Sequence, residues 1–224
     1  FLHVSTDEVF GELAQPKSDN DALAECFVES SPYLPNSPYA ASKAGADHLV
    51  RAWQKTYGLA TLIAHSSNNY GQYQFPEKLI PRMIISALQG KTLPIYGRGD
   101  NIRDWLHVED HVSALYAILT KGKIGCSYNV SANCEKQNIQ VVREICSLLD
   151  ELNCQKPNDA GNYIDLVRFT DDRPGHDFRY ALDASKIVNE LGWRPSYSFE
   201  CGLRKTVSWF IEHRDWWEGQ RDLS

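Results

Sequence analysis

Long apolar runs are missing from this chain: none approaches the ~18 to 20 residues that cross a bilayer as a helix, so no membrane partner is expected and a soluble, cytoplasmic protein is. The six cysteines, Cys26, Cys126, Cys134, Cys146, Cys154 and Cys201, form no Cys-x-x-Cys pair and no cluster with histidine at zinc spacing. No metal is therefore expected, and free thiols in a reducing compartment account for the cysteines. Positive charge is short as well. With 23 Lys and Arg against 29 Asp and Glu the net charge is -6 and the basic residues are scattered, which argues against a nucleic-acid partner and leaves room for a small anionic substrate held by a few arginines. No Gly-x-Gly-x-x-Gly and no looser Gly-x-x-Gly-x-x-Gly occurs, although a dinucleotide-binding domain normally opens with a strand, such a turn and a helix N-terminus that receives the pyrophosphate. Internal repeats and low-complexity segments are absent too.

What is present is ordinary globular material: 224 residues, 42% hydrophobic and 23% charged, enough for one large core or two small ones. Residues 1 to 6 read as a buried parallel strand, and 12 to 36, rich in Pro, Asp, Asn and Ser, as a long loop of the kind that is more often functional than idle. A helix is expected from Pro38 to Gly58, with Leu49, Val50 and Trp53 on its apolar side, followed by a core strand over 60 to 64. Asn68-Asn69-Tyr70-Gly71 is turn chemistry, and a further helix ends at Gly90. Leu93 to Tyr96, the turn Gly97-Arg98-Gly99-Asp100 and Arg103 to Val108 resemble a hairpin. Helices over 109 to 121 and 139 to 152, strands over 128 to 130 and 164 to 169, and two short helices around 185 to 191 and 199 to 213 complete the pattern. Strands and helices interleave, so the class is α/β.

Two stretches carry chemistry. In Ser37-Pro38-Tyr39-Ala40-Ala41-Ser42-Lys43, Pro38 suits a first helical position, and Tyr39 and Lys43 fall four residues apart on one helical face. The ammonium is then expected beside the phenol, bringing a group with an ordinary pKa of about 10 within reach of base chemistry. On its own this pair is more readily an amphipathic surface pair. The second stretch is His3-Val4-Ser5-Thr6-Asp7-Glu8-Val9-Phe10-Gly11. Neighbouring side chains of a strand point to opposite faces, so Asp7 and Glu8 can serve one ligand only if the strand ends there in a turn. Two adjacent carboxylates in a partly closed site repel, raising one pKa and separating an acid from a base.

Together with Ser67-Asn68-Asn69-Tyr70-Gly71, these motifs resemble the extended short-chain dehydrogenase/reductase family over nearly the whole chain, and the unbroken Thr6-Asp7-Glu8 triplet narrows the resemblance to its dTDP-glucose 4,6-dehydratases. The resemblance implies the carboxyl-terminal part of a Rossmann-type, NAD-binding doubly wound sheet with a smaller α/β substrate lobe. Residues 1 to 70 are expected as the remaining dinucleotide-binding domain with the catalytic residues, and 71 to 224 mainly as the nucleotide-sugar lobe, some segments returning to the first domain. The chain starts at Phe1 without the glycine-rich turn, so about the first half of that domain is expected to be missing and the fragment alone inactive.

The resemblance also implies roles. Tyr39 takes the proton of the sugar 4-hydroxyl while NAD accepts hydride from C4, Lys43 holds the phenolate and the nicotinamide ribose, and Thr6 bonds the reacting hydroxyl. Glu8 is the base at C5, and Asp7 the acid on the departing 6-hydroxyl. Asn68, Lys78, Leu79, Pro94, Tyr96, Arg103, Asn138, Arg173 and His176 match positions that bind the dTDP-sugar, with Arg103 and Arg173 the first choices for the diphosphate because guanidinium forks fit phosphate oxygens. Read as a structural residue, either arginine would instead pair with Asp104, Asp171 or Asp172. A homodimer is expected of the complete protein. Two other readings stand beside this one: a UDP-, CDP- or GDP-sugar dehydratase, epimerase or decarboxylase of the same family, and a non-catalytic nucleotide-sugar-binding remnant.

Overall fold

The computed structural model describes residues 1–14, 26–152, 161–172 and 175–219. Its elements in chain order are β1 (Leu2–Thr6), α1 (Pro38–Tyr57), β2 (Leu62–Ser66), β3 (Asn68–Tyr70), α2 (Leu79–Leu88), β4 (Leu93–Tyr96), β5 (Ile102–His107), α3 (Val108–Lys121), β6 (Ser127–Val130), β7 (Glu135–Gln137), α4 (Asn138–Glu151), β8 (Val167–Thr170), α5 (Ser185–Leu191), α6 (Phe199–Glu212) and α7 (Arg214–Gly219), with 3₁₀ turns at Asp7–Phe10 and Tyr163–Leu166. Two compact units share them: Phe1–Asn69, Asn101–Glu135 and Gly175–Ser196 form one, Tyr70–Asp100, Lys136–Pro174 and Tyr197–Ser224 the other. Among the described residues no helix is long and apolar enough to cross a membrane, and no group of three His, Cys, Asp or Glu could hold a metal ion.

The first unit is built on a parallel sheet of order β1-β2-β6, in register from Leu2 opposite Leu62 to Thr6 opposite Ser66, and from Ile63 opposite Ser127 to Ser66 opposite Val130. Parallel neighbours need crossovers, and α1 supplies the one between β1 and β2. Every residue of β2 is buried, as a strand covered on both faces must be. Alternation along it sends Leu62 and Ala64 into a core with Leu106, Ala114, Ile118, Tyr128, Val130, Ile187 and Trp193, and His65 to the face that meets α1. Helices on both faces of a parallel sheet make this a Rossmann-type, doubly wound fold.

Helix α1 begins as the sequence predicts. The Ser37 hydroxyl accepts from Ala40 N–H at 3.0 Å, Pro38 occupies the first turn, and Gly58 closes the helix in the left-handed region at φ 69°, its N–H on Gln54 O. The expected apolar side does not pack on the sheet. Leu49 and Trp53 are 65% and 52% exposed and with Phe1, Val50, Leu59 and Thr61 line an open surface recess of about 350 Å³. Only Ala40, Ala44 and Asp47 of this helix are buried.

In the second unit α2, α4 and α6 pack on one another, each with buried apolar residues, among them Ile80, Ile84, Val142, Ile145, Leu203 and Val207, and Trp217 of α7 is buried with its indole N–H on Phe210 O at 2.9 Å. Three expectations change here. Leu93–Tyr96 and Ile102–His107 do not form a hairpin: β4 pairs in parallel with β8, Leu93 opposite Val167, whereas β5 lies between β3 and β7. The turn between them does form, closed by Gly99 N–H on Tyr96 O at 3.0 Å. Turn signals specify a turn and not the partners of the strands beside it. Asn68–Tyr70 is strand rather than turn. The strand expected from Ile164 begins at Val167, because Asn162 and Asp165 cap a 3₁₀ turn before it.

Arg179 carries no sequence signal, yet its side chain is fully buried in the first unit and doubly bonded to Glu135, Nε to Oε2 at 2.6 Å and Nη2 to Oε1 at 2.8 Å. Removing one partner of such a pair strands the other. Arg179→Met should lower unfolding stability by about 3 kcal/mol or more, and Arg179→Met with Glu135→Leu should recover most of it. Urea midpoints of the two variants measure both effects, and equal losses would show that the pair is not the source.

Candidate active site

Strand β1 ends at Thr6, whose hydroxyl accepts from Glu8 N–H at 3.3 Å and donates to Asp7 Oδ1 at 3.0 Å, capping the 3₁₀ turn Asp7–Phe10. The turn breaks the strand alternation, as the triplet requires, and Val9 and Phe10 pin it into a small core with Ala44 and Leu182. Gly11 ends it at φ 92°, where a Cβ would stand 2.5 Å from Leu34 O, so only glycine fits.

This turn buries Asp7 to 3% exposure. Its Oδ2 has no hydrogen-bond partner among the described residues. Burial, then the neighbouring Glu8 charge, push the Asp7 carboxyl up to about 7; the Thr6 hydrogen bond and Arg103 pull it down, and Asp104 adds to the rise. Asp104 is itself buried and raised to about 6, chiefly by burial, while the Ser131 hydroxyl and Cys134 N–H bond its two oxygens. Asp7 is thus a raised carboxyl beside a second acid.

Tyr39, in the first turn of α1, is 55% exposed. Its phenol is shifted up, first by burial and then by Glu8 and Asp7, which reverses the direction expected from Lys43. The reason is placement. Lys43 Nζ donates to the carbonyl of Val4 at 2.7 Å, and the charges that act on the phenol are the two carboxylates.

Arg103 is buried and directs its guanidinium to backbone carbonyls. Its Nη1 donates to Ile102 O at 2.7 Å and Phe178 O at 3.1 Å, its Nη2 to Asp177 O at 2.9 Å, and the guanidinium lies 4.5 Å from the Tyr180 ring centroid. Sequence reasoning missed the residues around it. The Asp177 carboxylate accepts from Tyr180 OH and, at 2.9 Å, from Asn36 Nδ2, one residue before the cap of α1. The only available signal was their closeness to His176 and Ser37, since the partners are up to 141 positions apart. Tyr180 is raised by burial and by Asp177, and Glu8 acts on it too.

Of the other expected residues, Asn68 on β3 has a buried Oδ1 with no partner among the described residues, and His176 is half-buried; both belong to the first unit. Within the second unit, Lys78 caps α2 and pairs with Glu77 at 3.2 Å, and Leu79 opens that helix. Pro94 and the exposed Tyr96 sit on β4, and Asn138 opens α4 with its Oδ1 buried and unpartnered. Arg173 lies outside the described residues.

Comparison with known proteins follows the same lines. The family model described as GDP-mannose 4,6 dehydratase matches residues 1–206. A dTDP-glucose 4,6-dehydratase of Escherichia coli is 52% identical over 225 residues, covering 100% of this chain and 62% of that protein. One from Neisseria meningitidis serogroup B is 55% identical over 218 residues, 97% of this chain and 59% of that protein. The crystal structure of a dTDP-glucose 4,6-dehydratase from Bacillus anthracis in complex with NAD superposes with a TM-score of 0.85 at 45% identity, over 98% of this chain and 64% of that one. The chain thus spans about three fifths of the length of the curated relatives it matches.

The raised Asp7 carboxyl makes a stability prediction with a definite sign. An unfolded Asp ionises near 4, the folded one near 7, so charging Asp7 costs folding energy that is absent below pH 4, grows between pH 4 and 7 and is complete above. Three pKa units correspond to at most about 4 kcal/mol. Asp7→Asn should therefore be more stable than wild type at pH 8 by on the order of 2 to 4 kcal/mol, and gain little at pH 4. Chemical denaturation at the two pH values checks it; an equal effect at both would place the Asp7 pKa near its ordinary value.

Proposed function

The chain belongs to the GDP-mannose 4,6 dehydratase family, and from that membership we propose that it carries the catalytic residues of an NAD-dependent dTDP-glucose 4,6-dehydratase. The observation that supports this most is the Asp7 carboxyl, raised to about 7 by burial and by the adjacent Glu8. A proton donor and a carboxylate base side by side are what elimination of water needs and what simple oxidation does not. The dTDP-sugar is preferred over other nucleotide sugars because the relatives at 52% and 55% identity are dTDP-glucose 4,6-dehydratases.

Tyr39 takes the proton from the sugar 4-hydroxyl, which Thr6 orients. When bound, NAD supplies the oxidant at C4 and, after elimination, the hydride that reduces C6. The 4-keto group acidifies C5–H, Glu8 removes that proton, and Asp7 protonates the departing 6-hydroxyl, which leaves as water; Glu8 then returns a proton to C5 as C6 is reduced. The net change is oxidation at C4, reduction at C6 and loss of one water, giving the 4-keto-6-deoxy sugar. The nicotinamide-ribose end of the cofactor fits the residues present. Lys43 commits one N–H to Val4 O and an ammonium has three, so two are left for ribose hydroxyls.

Glu8→Gln in the full-length protein separates this reading from an epimerase or a simple dehydrogenase. The variant should still oxidise C4 and show NADH absorbance on mixing with dTDP-glucose, but lose water elimination, and exchange of the C5 hydrogen with deuterated water, by a factor of about 10² to 10⁴. Elimination and exchange at wild-type rates would remove Glu8 as the base, whereas a wild-type protein that forms no 4-keto-6-deoxy sugar would remove dehydration.

A further inference from the structure

A buried polar knot lies under α1 that the proposed reaction does not use. Asp47, two turns beyond Tyr39 and one beyond Lys43, is fully buried. Its Oδ2 accepts from Ser5 Oγ at 2.9 Å and from Tyr33 OH at 2.8 Å, and lies 3.2 Å from His65 Nε2, which is itself 2.8 Å from Tyr33 OH. His3 Nε2 stands 3.1 Å from Oδ1. With His65 Nδ1 buried and unpartnered among the described residues, the ring proton that these contacts require sits on Nε2. The partners come from three separate stretches. His3 and Ser5 belong to β1, His65 to β2 as the register partner of Ser5, and Tyr33 to the segment before α1.

A buried carboxylate is costly unless it is well bonded. Burial works against the Asp47 charge, but the hydrogen bonds from His65, Tyr33 and Ser5 outweigh it and hold the carboxyl below the usual range. His3 is lowered, by burial first and by Lys43 and His65, with Asp47 opposing. Arg51 over the Tyr33 ring at 5.4 Å and the His48 ring at 5.3 Å complete the charged and titratable neighbours.

The physical need for such a knot follows from how little else holds the helix. Its buried face offers two alanines besides Asp47, and its large apolar side chains point away from the sheet. Apolar burial is non-directional, and alanine methyls on a strand surface do not resist sliding or rotation. Hydrogen bonds are directional. Ser5 immediately precedes Thr6, Asp7 and Glu8 on β1, while Asp47 shares a helix with Tyr39 and Lys43. One residue therefore joins the strand end bearing the carboxylates to the helix bearing the phenol and the ammonium.

We propose that Asp47 is a positioning residue: its bonds to Ser5, Tyr33 and His65 set the register of α1 against β1 and so place Tyr39 and Lys43 over the end of that strand. The inference rests on the reading of Tyr39 and Lys43 as the proton-transfer pair. Asn at position 47 keeps an acceptor for the three donors and removes the charge; Ala removes both.

In the full-length protein with dTDP-glucose, Asp47→Ala should lower kcat at least about tenfold, since small misplacements of a reacting pair are expensive, with KM within about twofold. The limb of the pH profile that reports Tyr39 should shift, because the separation of the phenol from the Glu8 and Asp7 charges that act on it changes with the register of α1. Asp47→Asn should return kcat to within about threefold. Amide hydrogen exchange over residues 38–47 should speed up in Asp47→Ala and not in Asp47→Asn. Ile118→Val, a core change elsewhere in the same unit, should lower the melting temperature and leave kcat and the limb alone. An Asp47→Ala variant that melts lower but keeps wild-type kcat and limb overturns the proposal. Should Asp47→Ala not fold, Ser5→Ala and Tyr33→Phe each delete one bond, and wild-type limbs in both would overturn it equally. If the protein does not dehydrate dTDP-glucose, the proposed function fails alone; exchange then decides, faster over 38–47 in favour of the clamp and unchanged against it.

Discussion

Asp7 is a carboxyl group taken out of water at the carboxyl end of a strand, and much of the first unit is arranged so that it stays there. The strand must stop at Thr6 so that a turn can follow, the turn must be capped by Thr6 itself, and the residue that ends it must be Gly11 because the backbone of Leu34 leaves no space for a side chain. Val9 and Phe10 then bury the turn from below. Burial raises the pKa, and Glu8, which has no choice but to lie next to it, raises it further. A single hydrogen bond from Thr6 to Oδ1 offsets part of the cost. The other oxygen is left without one, which is the condition of a group that donates a proton rather than of one that stabilises a fold.

The helix beside that turn, α1, poses a different problem, staying in place without much apolar contact. Polar ties run through Lys43 to the Val4 carbonyl, through Asp47 to Ser5, and through Asn36 to Asp177 just ahead of the helix cap. Asp177 also takes Arg103 on its backbone carbonyl and Tyr180 on its carboxylate. The guanidinium of Arg103 thus bonds two carbonyls of the loop at Asp177 and the carbonyl of Ile102 on β5, lies over the Tyr180 ring, and acts on Asp7 through its charge.

The features legible in the sequence are those with a local cause. The cap of α1 at Ser37 and Pro38, its stop at Gly58, the turn forced by Thr6-Asp7-Glu8, and the raised member of an acid pair all follow from neighbours within a few positions. The α/β order of elements was legible as well. Lost were the features whose cause lies far along the chain. The strand Leu93–Tyr96 finds its partner at Val167–Thr170, Arg103 finds Asp177, 74 positions away, and Asp47 finds Ser5 across 42. The sign of the Tyr39 shift was misjudged for the same reason. A spacing of four residues places Lys43 on the same helical face as the phenol, but the carboxylates that reach the phenol come from another element. Exposure of Leu49 and Trp53 was not legible either, because a helical stripe does not reveal which of two faces meets the sheet.

The account stands or falls on Asp7 being a proton donor near neutral pH. Labelling the aspartate side-chain carboxyls with ¹³C and following their shifts with pH, with Asp7→Asn used to assign the resonance, reads that pKa directly. The account predicts a midpoint at about 7 for Asp7, falling in Glu8→Gln as the neighbouring charge is removed. A midpoint near 4, unchanged in Glu8→Gln, would contradict it.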